Sequence, residues 1–166
     1  MIALEVARHV NPLAVILVSS CQSCAGLPRW SRAGRVLVRV VPAWFQKWAN
    51  VQCPVALRAL GACEASDREL ILQMIRDTPA GFLKWGLSEA LRWRGADGLD
   101  VPVHQIHGKR DRTIPCPASG PCRVIPGGGH LINLTHADQV NAFIDVIISD
   151  PSSRRPRTCR PRRSRT

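Results

Sequence analysis

The sequence predicts an α/β domain built on a mainly parallel sheet, with a large helical insert and a disordered basic tail. Three observations carry this. Short apolar runs of strand length alternate with helical patterns, as in βαβ units. A long central stretch, residues 29–94, shows helical spacing and no strand alternation. The last 16 residues, PSSRRPRTCRPRRSRT, hold seven arginines and no acid.

Residues 1–10 place apolar side chains at 2, 3, 6, 7 and 10, a helical spacing that Asn11 and Pro12 end. Residues 13–20, LAVILVSS, form a continuous apolar run, as expected of a strand buried on both faces of a parallel sheet. Helical patches follow at about 36–48, 54–61, 66–77 and 80–93. Ser66 and Glu69 have capping-box spacing, and Pro79 sits where a helix start tolerates proline. Trp44, Trp48, Trp85 and Trp93, with Trp30 at its edge, are expected to pack this insert together.

Residues 95–100 read as a turn. Residues 101–108, VPVHQIHG, read as a second strand, with Val101, Val103 and Gln105 on one face and His104 and Ile106 on the other. Residues 122–128 give a short third strand. Residues 134–148 give a final helix with Val140, Phe143, Ile144 and Ile147 on one stripe, Thr135 as its expected N-cap and Asp138 in its first turn. The body is expected to span residues 1–150 and the tail residues 151–166.

At 166 residues the chain suits a single domain. Its net charge of +11 would suggest a nucleic-acid partner, but the tail carries most of it, and the body holds 16 basic against 12 acidic residues. No aromatic residue is interleaved with the tail arginines for base stacking, so nucleic acid is not the expected partner. The seven cysteines (21, 24, 53, 63, 116, 122, 159) are odd in number and show no zinc spacing, so reduced thiols in a cytoplasmic protein are expected. The apolar run before Cys21 is too short to span a bilayer. Glu5 and Pro12 argue against reading it as a lipoprotein leader, so no membrane association is expected.

Two loops carry the chemistry. Residues 107–115, HGKRDRTIP, place Asp111 just past the second strand. Residues 127–134, GGGHLINL, place His130 directly after three glycines, which are expected to let the backbone turn where a side chain would forbid it. A carboxylate after one strand and an imidazole after the next have the types and order of the second and third members of a Ser–Asp–His relay. In that reading His130 is the general base and Asp111 orients it. The plain alternative makes Asp111 a turn residue and His130 a loop histidine. His107 is expected to shape the acid loop and His136 to be solvated. Metal binding by His104, His107 and His130 fits no known ligand spacing.

These loops, together with the residue run MIALEVAR, resemble the C-terminal part of the α/β-hydrolase family. The resemblance covers residues 1–148 and matches residues 29–94 only as a lid-like helical region. It implies a partial α/β-hydrolase fold with an incomplete, mainly parallel sheet. It also implies hydrolysis of a carboxylic ester or similar acyl bond in the parent enzyme, with a small-molecule substrate and no cofactor. The family's nucleophile elbow, Gly-x-Ser-x-Gly, occurs nowhere in these 166 residues. Ser19 and Ser20 end a different strand, and Ser119 lies between Asp111 and His130, against the family's chain order. The chain is therefore expected to keep the acid and the histidine, lack the attacking serine, and be inactive alone unless an N-terminal complementing chain supplies it. The alternative is a noncatalytic interaction module whose basic tail meets a polyanion.

Overall fold

The computed structural model describes residues 1–10, 12–23, 35–52, 57–58, 60–62, 64–95, 98–117, 121–150 and 152. The basic tail apart from Ser152, Trp30, Ser119 and four of the cysteines (24, 53, 63 and 159) lie outside the described residues.

Helix α1 is Ile2–Val10 and strand β1 is Val15–Val18. Helices α2 (Arg35–Val40), α3 (Ala43–Gln52), α4 (Ala65–Asp77) and α5 (Ala80–Arg92) precede the next strand among the described residues. Strands β2 (Val103–Gly108) and β3 (Arg123–Ile125) come next, then a short helix α6 (Ile132–Thr135) and the last helix α7 (Ala137–Ser149). The three strands are parallel in the order β1-β2-β3, with Val18 opposite Ile106 and Ile106 opposite Arg123. This mixed helix and strand arrangement on a small parallel sheet is compatible with a partial α/β fold.

Side-chain alternation along the strands divides the core in two. On one face Val15 and Leu17 meet Leu4 and Ala7 of α1, with Trp93, Leu99, Val101 and Val103 packed around them. On the other, Ile106 and Ile125 meet Ile132 and Val140, flanked by Val18, Phe143 and Ile144. Helices on both faces explain why β1 reads as an unbroken apolar run. The apolar positions that mark α1 in the sequence are largely not those it buries: Ile2, Val6 and Val10 are exposed, whereas Leu4 and Ala7 are covered.

The insert is held by an apolar cluster of Leu57, Ala62 and Ile71, with Leu60, Leu72 and Ile75 packed against it, and by two lysine side chains on helix ends. Lys47 Nζ donates to the Arg76 and Thr78 carbonyls at the end of α4, at 2.6 and 2.8 Å. Lys84 Nζ donates to the Arg39 and Val41 carbonyls at the end of α2, at 3.0 and 2.8 Å. A cation there satisfies orphan carbonyls and complements the helix dipole. The expected role of the tryptophans is corrected. Trp44, Trp48 and Trp85 are 68, 55 and 51 % exposed, and pack mostly against neighbouring Phe45 and Phe82. Trp93 alone of these four joins the sheet core, and its Nε1 donates to Glu5 Oε1 at 2.6 Å.

Two expected caps are also corrected. Helix α4 starts at Ala65 with Glu64 as N-cap, so Ser66 already lies in the first turn and makes no capping-box bond. The backbone breaks at His136 (φ −138°, ψ 40°), so Thr135 closes α6 instead of opening α7. Its hydroxyl bonds back to the Leu131 carbonyl at 3.1 Å.

Candidate active site

Asp111 follows β2 and His130 follows β3, both at the carboxyl ends of neighbouring parallel strands. Open α/β sheets bind ligands at this end. The structure brings the two residues together: His130 Nδ1 lies 2.9 Å from Asp111 Oδ2. The Asp111 side chain is fully buried and that of His130 is 19 % exposed.

Local backbone geometry holds each partner. Asp111 Oδ1 accepts from the amides of Thr113 and Ile114 at 2.8 and 2.9 Å, an Asx-type turn that uses one carboxylate oxygen. Oδ2 is left for the imidazole. The two loops are also stitched directly, since Lys109 N donates to the Ile125 carbonyl and Arg110 N to the Gly128 carbonyl, both at 2.9 Å. Leu131 N donates to the Leu60 carbonyl at 3.1 Å, which ties the histidine loop to the insert.

The glycine triplet does a different job from the one expected. Positive φ among the described glycines occurs at 61, 95 and 98 and not at 127, 128 or 129. The requirement is close approach. A Cβ on Gly108 would stand 2.2 Å from the Gly129 carbonyl oxygen, and one on Gly129 would stand 2.6 Å from Gly61 Cα. Three backbone segments meet where only hydrogen-sized side chains fit.

A carboxylate is an acceptor only, so Asp111 fixes the proton of neutral His130 on Nδ1. Nε2 then carries the lone pair. A base oriented this way takes a proton from a hydroxyl or water presented to Nε2. Beside the acid loop, a cavity of about 240 Å³ is lined by Ser20, Cys21, Gln22, Gln105, Pro115 and Pro117.

Three features were not read from the sequence. His107 is fully buried, and neither ring nitrogen has a hydrogen-bond partner of good geometry among the described residues. Burial pushes its pKa below the usual 6.5; the Asp111 carboxylate and the nearby backbone of Ser20 and Ile114 oppose this, and His130 adds to it. The His-Gly pair at the end of β2 was the available signal. Ser19 takes φ 43°, rare for a residue with a side chain, and its buried Oγ has no partner among the described residues. Cys116 and Cys122 bring their sulfurs to 3.2 Å. Of the expected bystanders, His136 is half-buried rather than solvated, and its Nδ1 pairs with the Thr135 hydroxyl at 2.8 Å. No cluster of metal-ligating side chains occurs among the described residues, and none of their helices is long and apolar enough to cross a membrane.

No family model matches the chain. It is similar to a curated protein of Synechocystis named a non-heme chloroperoxidase, with 45 % identity over 56 residues. That alignment covers 28 % of this chain and 20 % of the relative, so the match spans about a fifth of the relative's length.

Proposed function

We propose that Asp111 and His130 are the acid and the base of a Ser–Asp–His relay, in a domain of α/β-hydrolase type that cleaves a carboxylic ester or related acyl bond. The observation that carries this is the 2.9 Å contact between a buried, backbone-capped carboxylate and a partly exposed imidazole. The chain order, acid then histidine after consecutive parallel strands, supports it. So does the short similarity to the chloroperoxidase, an α/β-hydrolase relative.

His130 Nε2 would take the proton of an attacking serine and later return it to the leaving group, while Asp111 stabilises the transient imidazolium. Gly-x-Ser-x-Gly is absent from the 166 residues, so that serine would come from outside them. The relative's name adds halide peroxidation to the activities worth assaying.

A fluorophosphonate probe should leave this chain unlabelled. Joined behind a hydrolase segment ending in a Gly-x-Ser-x-Gly turn and its strand, the chain should support probe labelling and hydrolysis of a nitrophenyl ester. Asp111→Asn should then lower kcat by about 10⁴-fold. Serine labelling of this chain alone, or an active joined protein indifferent to His130→Ala, would overturn the reading.

A further inference from the structure

We propose that Cys116 and Cys122 are a dithiol–disulfide site, which a low-molecular-weight disulfide such as oxidised glutathione converts to an intramolecular bond. The inference is independent of the hydrolytic reading. Its basis is the 3.2 Å separation of the two sulfurs, longer than a disulfide bond by about one ångström. Five residues separate the pair, and three prolines bracket it (115, 117 and 121). Both thiols are partly accessible, as an incoming disulfide requires.

The hydrogen bonding orders the two sulfurs. Cys122 Sγ lies 3.2 Å from Cys116 Sγ and 3.6 Å from the Arg123 carbonyl, within hydrogen-bonding reach of both. Burial, then the hydrogen bond that the Cys122 thiol can give to a Cys116 thiolate and the negative charge of that thiolate, push Cys122 up to about 12. Cys122 therefore keeps its proton while Cys116 is a free thiol or thiolate. The first attack falls to Cys116, since the thiolate is the nucleophile.

The Cys116 thiolate attacks one sulfur of the reagent disulfide, forms a mixed disulfide and expels one thiolate. This removes both Cys116 contributions that held the proton on Cys122. Cys122 then loses its proton, attacks Cys116 Sγ and expels the second thiolate. The two protein thiols lose two electrons and two protons, and the reagent disulfide gains both as two thiols.

The position gives the bond a consequence. Cys116 lies just beyond the turn in which Thr113 and Ile114 cap Asp111, and Cys122 immediately precedes β3. Oxidation would fasten the acid loop to the start of the strand that delivers His130.

The test equilibrates the full chain in glutathione buffers of stepped ratio, quenches with acid and alkylates the remaining thiols. Both cysteines fall in one tryptic peptide, residues 113–123, so the bond appears as loss of two hydrogens from that peptide. It is expected to form at a reagent ratio about tenfold less oxidising than any pairing among the other five cysteines requires. Cys122→Ser should stop at glutathione on Cys116. Persistence of two alkylatable thiols at ratios that oxidise the other cysteines would overturn the proposal. So would pairing of Cys116 and Cys122 no more readily than the rest.

Discussion

His107 shows how one buried side chain can set the response of the fold to acid. Its ring sits under the acid loop with no exposed surface, and burial depresses its pKa from 6.5. The unfolded chain therefore takes up a proton at a pH where the folded chain does not. Protons bound preferentially by the unfolded state make stability rise with pH. The contribution is complete above about pH 6.5 and is lost as pH falls from there through the depressed value. Each unit of depression corresponds to about 1.4 kcal/mol. The midpoint of urea unfolding should thus fall between pH 7.5 and 5.5, and His107→Gln should flatten that dependence near pH 6. An unchanged slope in the variant would assign the acid sensitivity to other groups. The same burial separates His107 from His130. One imidazole is sealed among backbone groups, and the other keeps an exposed edge beside a carboxylate.

At the scale of elements, the two site loops are positioned by backbone contact at glycines. Gly108 ends β2 where its Cα faces the Gly128–Gly129 peptide, and a methyl group there would overlap the backbone. Backbone cannot give way as a flexible side chain can, so Gly108→Ala should cost about 1–3 kcal/mol as overpacking. It should also part the two loops. In imidazole nitrogen NMR the wild-type His130 should carry its proton on Nδ1, and the variant should show mixed tautomers. A variant of wild-type stability with the tautomer intact would refute the close-approach account. These elements were legible in the sequence to different depths. The three strands follow from apolar periodicity with shifted ends, whereas two helical patches, 36–48 and 134–148, are each broken in two, at 41–42 and at His136, and part of the patch at 54–61 lies outside the described residues. The order of Asp111 and His130 was legible because each follows a strand. Caps were not: Ser66 and Thr135 have the right side chains, but the helix starts that would use them fall elsewhere. The tryptophans of the insert were misjudged because hydrophobicity alone does not show how much covering surface a region has. The Cys116–Cys122 contact and the meeting of Gly61 with Gly129 depend on paths through loops that carry no periodic signal.

Across the whole molecule, apolar surface is left over in two forms. Strand β1 has β2 on one side and pairs with no strand on the other among the described residues. Val15 N and Ser19 N donate toward β2, to the carbonyls of Pro102 and Ile106, so alternation turns the amides of Ile16 and Val18 outward. An unpaired edge of this kind invites another strand. Helix α1 adds an exposed row at Ile2, Val6 and Val10, and the insert adds Trp44, Trp48, Phe82 and Trp85. Patches of this sort on an isolated chain drive association. The purified chain should therefore self-associate at micromolar concentration, with light scattering rising as concentration increases. The double variant Val6→Lys and Val10→Lys should reduce that association if the helix face dominates. If the edge dominates, the variant should leave association intact, and the amides of Ile16 and Val18 should be protected from hydrogen exchange only in the associated state. A chain that stays monomeric and melts sharply without aggregating would show that neither surface is sticky. The sheet would then be stable with an open edge, its two faces covered chiefly by α1 and by α6 with α7.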